Sequence, residues 1–101
     1  MKREGIEMKT IFKITVKEEY AEECMEYIAE HTRRCKSELG NLTSEAYRST
    51  EEPNVAYIIS EWDSPEHEKL HVESEADAAF VKKMQGKEAE PVKLINWTQL
   101  A

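Results

Sequence analysis

A chain of 101 residues, 40% hydrophobic and 35% charged, has the size and make-up of one globular domain with a modest core, and is short for building a deep cleft alone. Its formal net charge of -7 repels phosphate backbones and excludes nucleic acid as a natural partner. No apolar stretch approaches the ~20 residues that cross a bilayer, and residues 1–7 lack the apolar core of a secretory signal, so no membrane contact and a cytoplasmic location are expected.

Residues 1–7 are polar and patternless and read as a flexible tail before a single domain over residues 8–101. From residue 8 to 16 the chain alternates, with Met8, Thr10, Phe12, Ile14 and Val16 on one side. This is the period of a strand with one apolar face. Over residues 17–39 the period lengthens: Tyr20, Cys24, Ile28, His31, Cys35 and Leu39 recur every three or four residues, widened by Tyr27, which predicts a long amphipathic helix. Glutamates crowd its start and Arg33, Arg34 and Lys36 its end, in keeping with the helix dipole, and Gly40 is placed to cap it in the left-handed conformation.

Residues 42–50 alternate weakly, residues 51–54 (Glu-Glu-Pro-Asn) carry turn chemistry, and residues 55–62 are apolar on both faces. A hairpin whose second strand is buried on both sides is predicted. Ser64 followed by Pro65 then starts one short helix. Ser74, with Asp77 three residues on, starts another through Ala76, Ala79, Phe80 and Met84, ended by Gly86. Past Pro91, residues 92–100 alternate again as a last strand. The two cysteines, Cys24 and Cys35, lie eleven residues apart on one predicted helix. That is roughly 16 Å of rise, too far for a disulfide, so both read as buried thiols filling the core.

The order β-α-β-β-α-β, with its second helix split, predicts an α+β domain of ferredoxin-like type, an antiparallel sheet with helices on one face. Because strands 1, 3 and 4 carry apolar residues on both faces, the bare face is expected to pack on a second copy as a homodimer.

In these residues the chain resembles the antibiotic biosynthesis monooxygenase family of dimeric α+β barrels. The resemblance is carried by Glu38-Leu39-Gly40-Asn41-Leu42, by the hairpin from Tyr47 through Pro53 to Tyr57, by Glu61-Trp62-Asp63-Ser64, and by His71 nine residues after the tryptophan with Ser74 and Phe80 beyond it. It implies a pocket between sheet and helices for a small phenolic or quinol-type substrate, oxidised with molecular oxygen and no cofactor or metal. Trp62 and His71 match the family's tryptophan and helix histidine. Physically, an indole offers a flat face and one N–H donor, and an imidazole is suited to take a phenolic proton. The side chains expected around the pocket are Phe12, Ile14, Tyr27, His31, Ile58, Ser60, Phe80 and Met84. His31, on the helix's apolar stripe, also has the plainer reading of a satisfied core histidine. Ser60 stands where the family often has a glutamate, and residues 8–16 hold no asparagine of the kind the haem-degrading branch uses.

Two further readings take the same pocket without oxygen: an isomerase of a small carbonyl compound, and a non-catalytic small-molecule-binding dimer module. His67-Glu68-Lys69-Leu70-His71 also satisfies the H-E-x-x-H zinc pattern. No Gly-x-x-His continuation follows His71, and Glu88 or Glu90 as a third ligand would fall in a segment before Pro91 that reads as linker, which leaves zinc hydrolysis as a minor reading.

Overall fold

The computed structural model describes residues 8–101; the expected tail at residues 1–7 lies outside the described residues. Strands β1 (Met8–Thr15), β2 (Asn41–Arg48), β3 (Val55–Trp62) and β4 (Lys93–Leu94) alternate with helices α1 (Ala21–Cys35), α2 (Pro65–Val72) and α3 (Glu75–Met84). The sheet has the order β2-β3-β1-β4 with antiparallel pairing throughout, the ferredoxin-like arrangement expected.

Residues 10, 14 and 16 of the first strand segment and 56, 58, 60 and 62 of β3 are buried under the helices. The register keeps them on one side, with Thr10 opposite Ser60 and Phe12 opposite Ile58. Against them α1 sets Cys24 and Ile28, and α3 sets Met84. On the other side of the sheet, Ile11 lies opposite Ile59 and Lys13 opposite Tyr57, all partly covered.

Two boundaries differ from the sequence reading. The first helix opens as a 3-10 turn (Glu18–Tyr20) and its α-helical part stops at Cys35, not Leu39. Ser37 Oγ donates to the Arg34 carbonyl at 2.9 Å, and the amides of Ser37 and Glu38 donate to Arg34 and Cys35 in three-residue turns, a local competition that ends helices. Leu39 is therefore exposed, off the stripe, and Gly40 (φ +84°) serves the turn into β2. A side chain at Gly40 would meet the His67 ring, so glycine answers both the dihedral and the close approach.

The last strand is the second difference. Among the described residues, Lys93 and Leu94 alone of the last segment form a ladder with β1, with one further bond from the Ile95 amide to the Ile11 carbonyl at 2.8 Å. Leu94, Trp97 (43% exposed) and Leu100 (95% exposed) are uncovered. Alternation alone does not hold an edge strand whose apolar side chains meet no second surface.

Candidate functional site

The space between sheet and helices divides into two ends. At one, Ile14, Val16, Ala56 and Ile58 pack on Cys24, Ile28 and Met84. At the other, the same strands present hydroxyls: Thr10, Ser60 and Ser44 are all buried and adjacent across β1, β3 and β2, with Ser44 and Ser60 bonded at 2.7 Å. Three buried hydroxyls in a row form a polar floor, which burial tolerates only when partnered.

Over this floor three helices and the turn after α1 bring their polar side chains together. That turn sets Glu38 Oε1 at 2.6 Å from His71 Nδ1 on α2. A carboxylate only accepts, so Nδ1 carries the proton and donates it, and Nε2 presents its lone pair. The His71 ring stacks on Trp62 at 4.9 Å between centroids and keeps 13% of its side chain exposed.

His31 stacks on Phe80 at 4.1 Å and stands 5.5 Å from the His71 ring. Its Nδ1 accepts from Arg34 at 3.1 Å, and Arg34 also donates to the Ala76 carbonyl at 3.3 Å. Burial, then the neighbouring His71 and Arg34, push His31 down to about 4, so it is neutral at ordinary pH. One helical turn on, Cys35 Sγ is 3.6 Å from His31 Nε2. Burial, with Glu38 beside it, pushes this thiol up to about 12. Asp77 completes the group: Ser74 Oγ accepts from its amide at 3.1 Å and donates to the His71 carbonyl at 2.7 Å. This cap sets Asp77 Oδ1 at 3.6 Å from both His31 Nε2 and His71 Nε2. Burial raises the Asp77 carboxyl.

Of the residues expected at the site, Trp62, His71, His31 and Phe80 meet in this cluster, and Ser60 lies in its floor. Trp62 is 1% exposed, so its ring backs the imidazole and is not open as the expected flat wall. Ile14, Ile58 and Met84 belong to the apolar end instead, with Tyr27 packed at its margin and donating to Glu23 at 2.8 Å. Phe12, opposite Leu94, is half-buried. An open depression of about 300 Å³ between α1 and β2, lined by Ala29, Thr32, Arg33, Ser44, Ala46 and Tyr47 among others, draws on none of the expected pocket residues. The sequence reading missed Cys35, Glu38, Asp77, Ser44 and Thr10. The signals present were the four-residue step from His31 to Cys35 and the Ser74 cap with Asp77, but neither says what it faces across the fold.

The H-E-x-x-H pair does not act together. His67 Nδ1 bonds Asp63 at 2.5 Å against the Gly40 turn, whereas the donor atoms that converge with His71 are those of His31 and Cys35.

The antibiotic biosynthesis monooxygenase family model matches residues 8–83, three quarters of the chain. The chain belongs to the antibiotic biosynthesis monooxygenase family. The matched range holds every member of the polar cluster and ends before β4. Among solved structures, a candidate antibiotic biosynthesis monooxygenase of Nitrosomonas europaea superposes with a TM-score of 0.87 at 19% identity, covering 99% of this chain and 96% of that one. A second such candidate, from Bacteroides thetaiotaomicron, gives 0.83 at 22% identity over 94% and 90%. A protein of Pseudomonas aeruginosa gives 0.85 at 18% over 99% and 100%. At these identities the likeness is one of fold. No functionally curated protein matches the chain. Among the described residues, no helix is long and apolar enough to cross a membrane.

Proposed function

We propose that the chain is a cofactor-independent monooxygenase of a small phenolic or quinol-type compound, with His71 as the proton acceptor. The observation that carries this reading is the Glu38–His71 pair at 2.6 Å. A carboxylate on Nδ1 orients the ring, leaves the Nε2 lone pair free, and stabilises the imidazolium formed when Nε2 takes a proton. Removal of a phenolic proton gives an electron-rich anion able to pass an electron to molecular oxygen. Enclosure against Trp62 and the hydroxyl floor supports the reading by restricting water around that anion. Membership of the family and the monooxygenase candidates among its structural neighbours support it further.

The reading includes a homodimer formed through the bare sheet face, supported by Ile11 and Ile59 on that face and by the exposed Trp97, whose ring lies under Lys9. Light scattering at micromolar concentration should return twice the chain mass of 11.8 kDa; a monomer overturns this part.

Oxygen uptake with a panel of quinols and anthrone-like phenols, corrected for autoxidation, tests the activity. Saturable uptake that falls at least ~10²-fold in His71→Ala is the expected result. Turnover that persists without oxygen would assign the site to isomerisation.

A further inference from the structure

We propose that His31, Cys35, His71 and Asp77 form a binding site for a divalent transition metal of the zinc class. The donor atoms of His31, Cys35 and His71 all lie within 4.8 Å of one another. Asp77 Oδ1 stands 3.6 Å from Nε2 of each histidine, and Cys35 Sγ stands 3.6 Å from His31 Nε2 and 4.0 Å from His71 Nε2. A tetrahedral zinc ion with bonds of ~2.0 Å to nitrogen or oxygen and ~2.3 Å to sulfur has ligand-to-ligand edges of roughly 3.3 to 3.6 Å. These four separations exceed such edges by a few tenths of an ångström at most, and the His31–His71 separation, within 4.8 Å, closes around an ion once one imidazole swings inward.

The chemistry of the set agrees with that geometry. Two imidazoles, a thiolate and a carboxylate select borderline metals such as zinc or cobalt over magnesium or calcium. One thiolate and one carboxylate balance a divalent charge, which a partly buried site requires. His31 is already neutral, and a coordinated thiol gives up its proton, so the cation supplies the countercharge that Cys35 lacks in the metal-free chain. His71 Nδ1 donating to Glu38 is the carboxylate–histidine–metal arrangement that fixes a ligating ring. His31 requires one adjustment: its proton must sit on Nδ1, so Arg34 turns from that atom while keeping the Ala76 carbonyl. The ligands come from α1, α2 and the first turn of α3, so the ion would tie all three helices together.

This site does not rest on the oxygenase reading. It is also independent of the H-E-x-x-H pattern, since it uses His71 without His67 and draws its remaining ligands from α1 and α3.

Untagged protein, reduced and stripped with a chelator, is titrated with Co²⁺ and then Zn²⁺. The expected result is one ion per chain, the intense visible bands of tetrahedral cobalt, a sulfur-to-cobalt charge-transfer band in the near ultraviolet, and displacement of both by zinc. Cys35→Ser should remove the charge-transfer band, and His31→Ala should weaken zinc by ~10²-fold or more. Glu38→Gln, one shell further out, should weaken it by ~10 to 100-fold, and His67→Ala should leave it unchanged. The weak spectrum of octahedral cobalt in the wild-type protein overturns the site, as does binding that His67→Ala abolishes and Cys35→Ser spares. The wild-type spectrum decides the matter even if a variant fails to fold, and it involves no turnover, so failure of the oxygenase reading leaves it standing.

Discussion

The two ends of the buried layer are built on the same strands and the same helix, yet they are held by different forces. Ile14 and Thr10 are four residues apart on β1, Ile58 and Ser60 two apart on β3, and Ile28 and His31 three apart on α1, all buried. The Ile28 end excludes water and needs only shape and volume. The His31 end is assembled from donors and acceptors, each of which needs a named partner. Burial without direction stabilises the fold at one end, whereas directed contacts at the other make chemistry possible at some expense of stability.

Truncation separates the ends most sharply. Ile28→Ala, in the apolar end, should destabilise by about 2–5 kcal/mol in denaturant unfolding, a large share of what a domain of this size has. Turnover per folded molecule and cobalt binding should be kept; loss of either at full folding would mean that the ends are coupled. His71→Ala should do the reverse. An activity loss of ~10²-fold is worth about 2.7 kcal/mol of barrier, with a smaller fall in stability than Ile28→Ala gives, since Glu38 and the Trp62 face lose their partner. An equally active variant clears His71 of the proton-acceptor role, and one destabilised as far as Ile28→Ala at full turnover makes it a packing residue.

Smaller effects test the hydroxyl floor. Ser44→Ala leaves Ser60 without its partner at 2.7 Å and should cost about 1–3 kcal/mol, whereas Ser44→Ala with Ser60→Ala should be nearer neutral. A double variant as unstable as the single one would show that these hydroxyls serve other groups, Cys35 among them. Zinc sharpens the contrast last: an ion on His71 Nε2 occupies the lone pair that would take the phenolic proton. Stoichiometric zinc should therefore suppress oxygen uptake and raise the melting temperature, and unaltered uptake in the zinc-loaded protein would put the base elsewhere.

The elements are largely legible in the sequence because each is a local pattern. Period two marks β1, a short run apolar on both faces marks β3, the three-and-four step marks α1, and Ser64 with Pro65 and Ser74 with Asp77 mark the starts of α2 and α3; both serine caps accept the expected amides. The end of α1 is hidden because Leu39 continues the stripe while Ser37 breaks the helix. The last strand is shorter than its alternation suggests because alternation is silent on whether anything covers it.

Composition and periodicity determined the α+β class with a ferredoxin-like order, because those properties follow from turns of backbone a few residues long, and the family resemblance singled out Trp62 and His71. Only the tertiary structure decided that Glu38 meets His71 across 33 residues, and that Cys35, which reads in sequence as core filler, faces two imidazoles and not aliphatic side chains. Buried thiols and buried ligands look alike in sequence. What distinguishes them is the polarity of whatever lies within 4 Å, and for Cys35 that neighbour, His71, is 36 residues away along the chain.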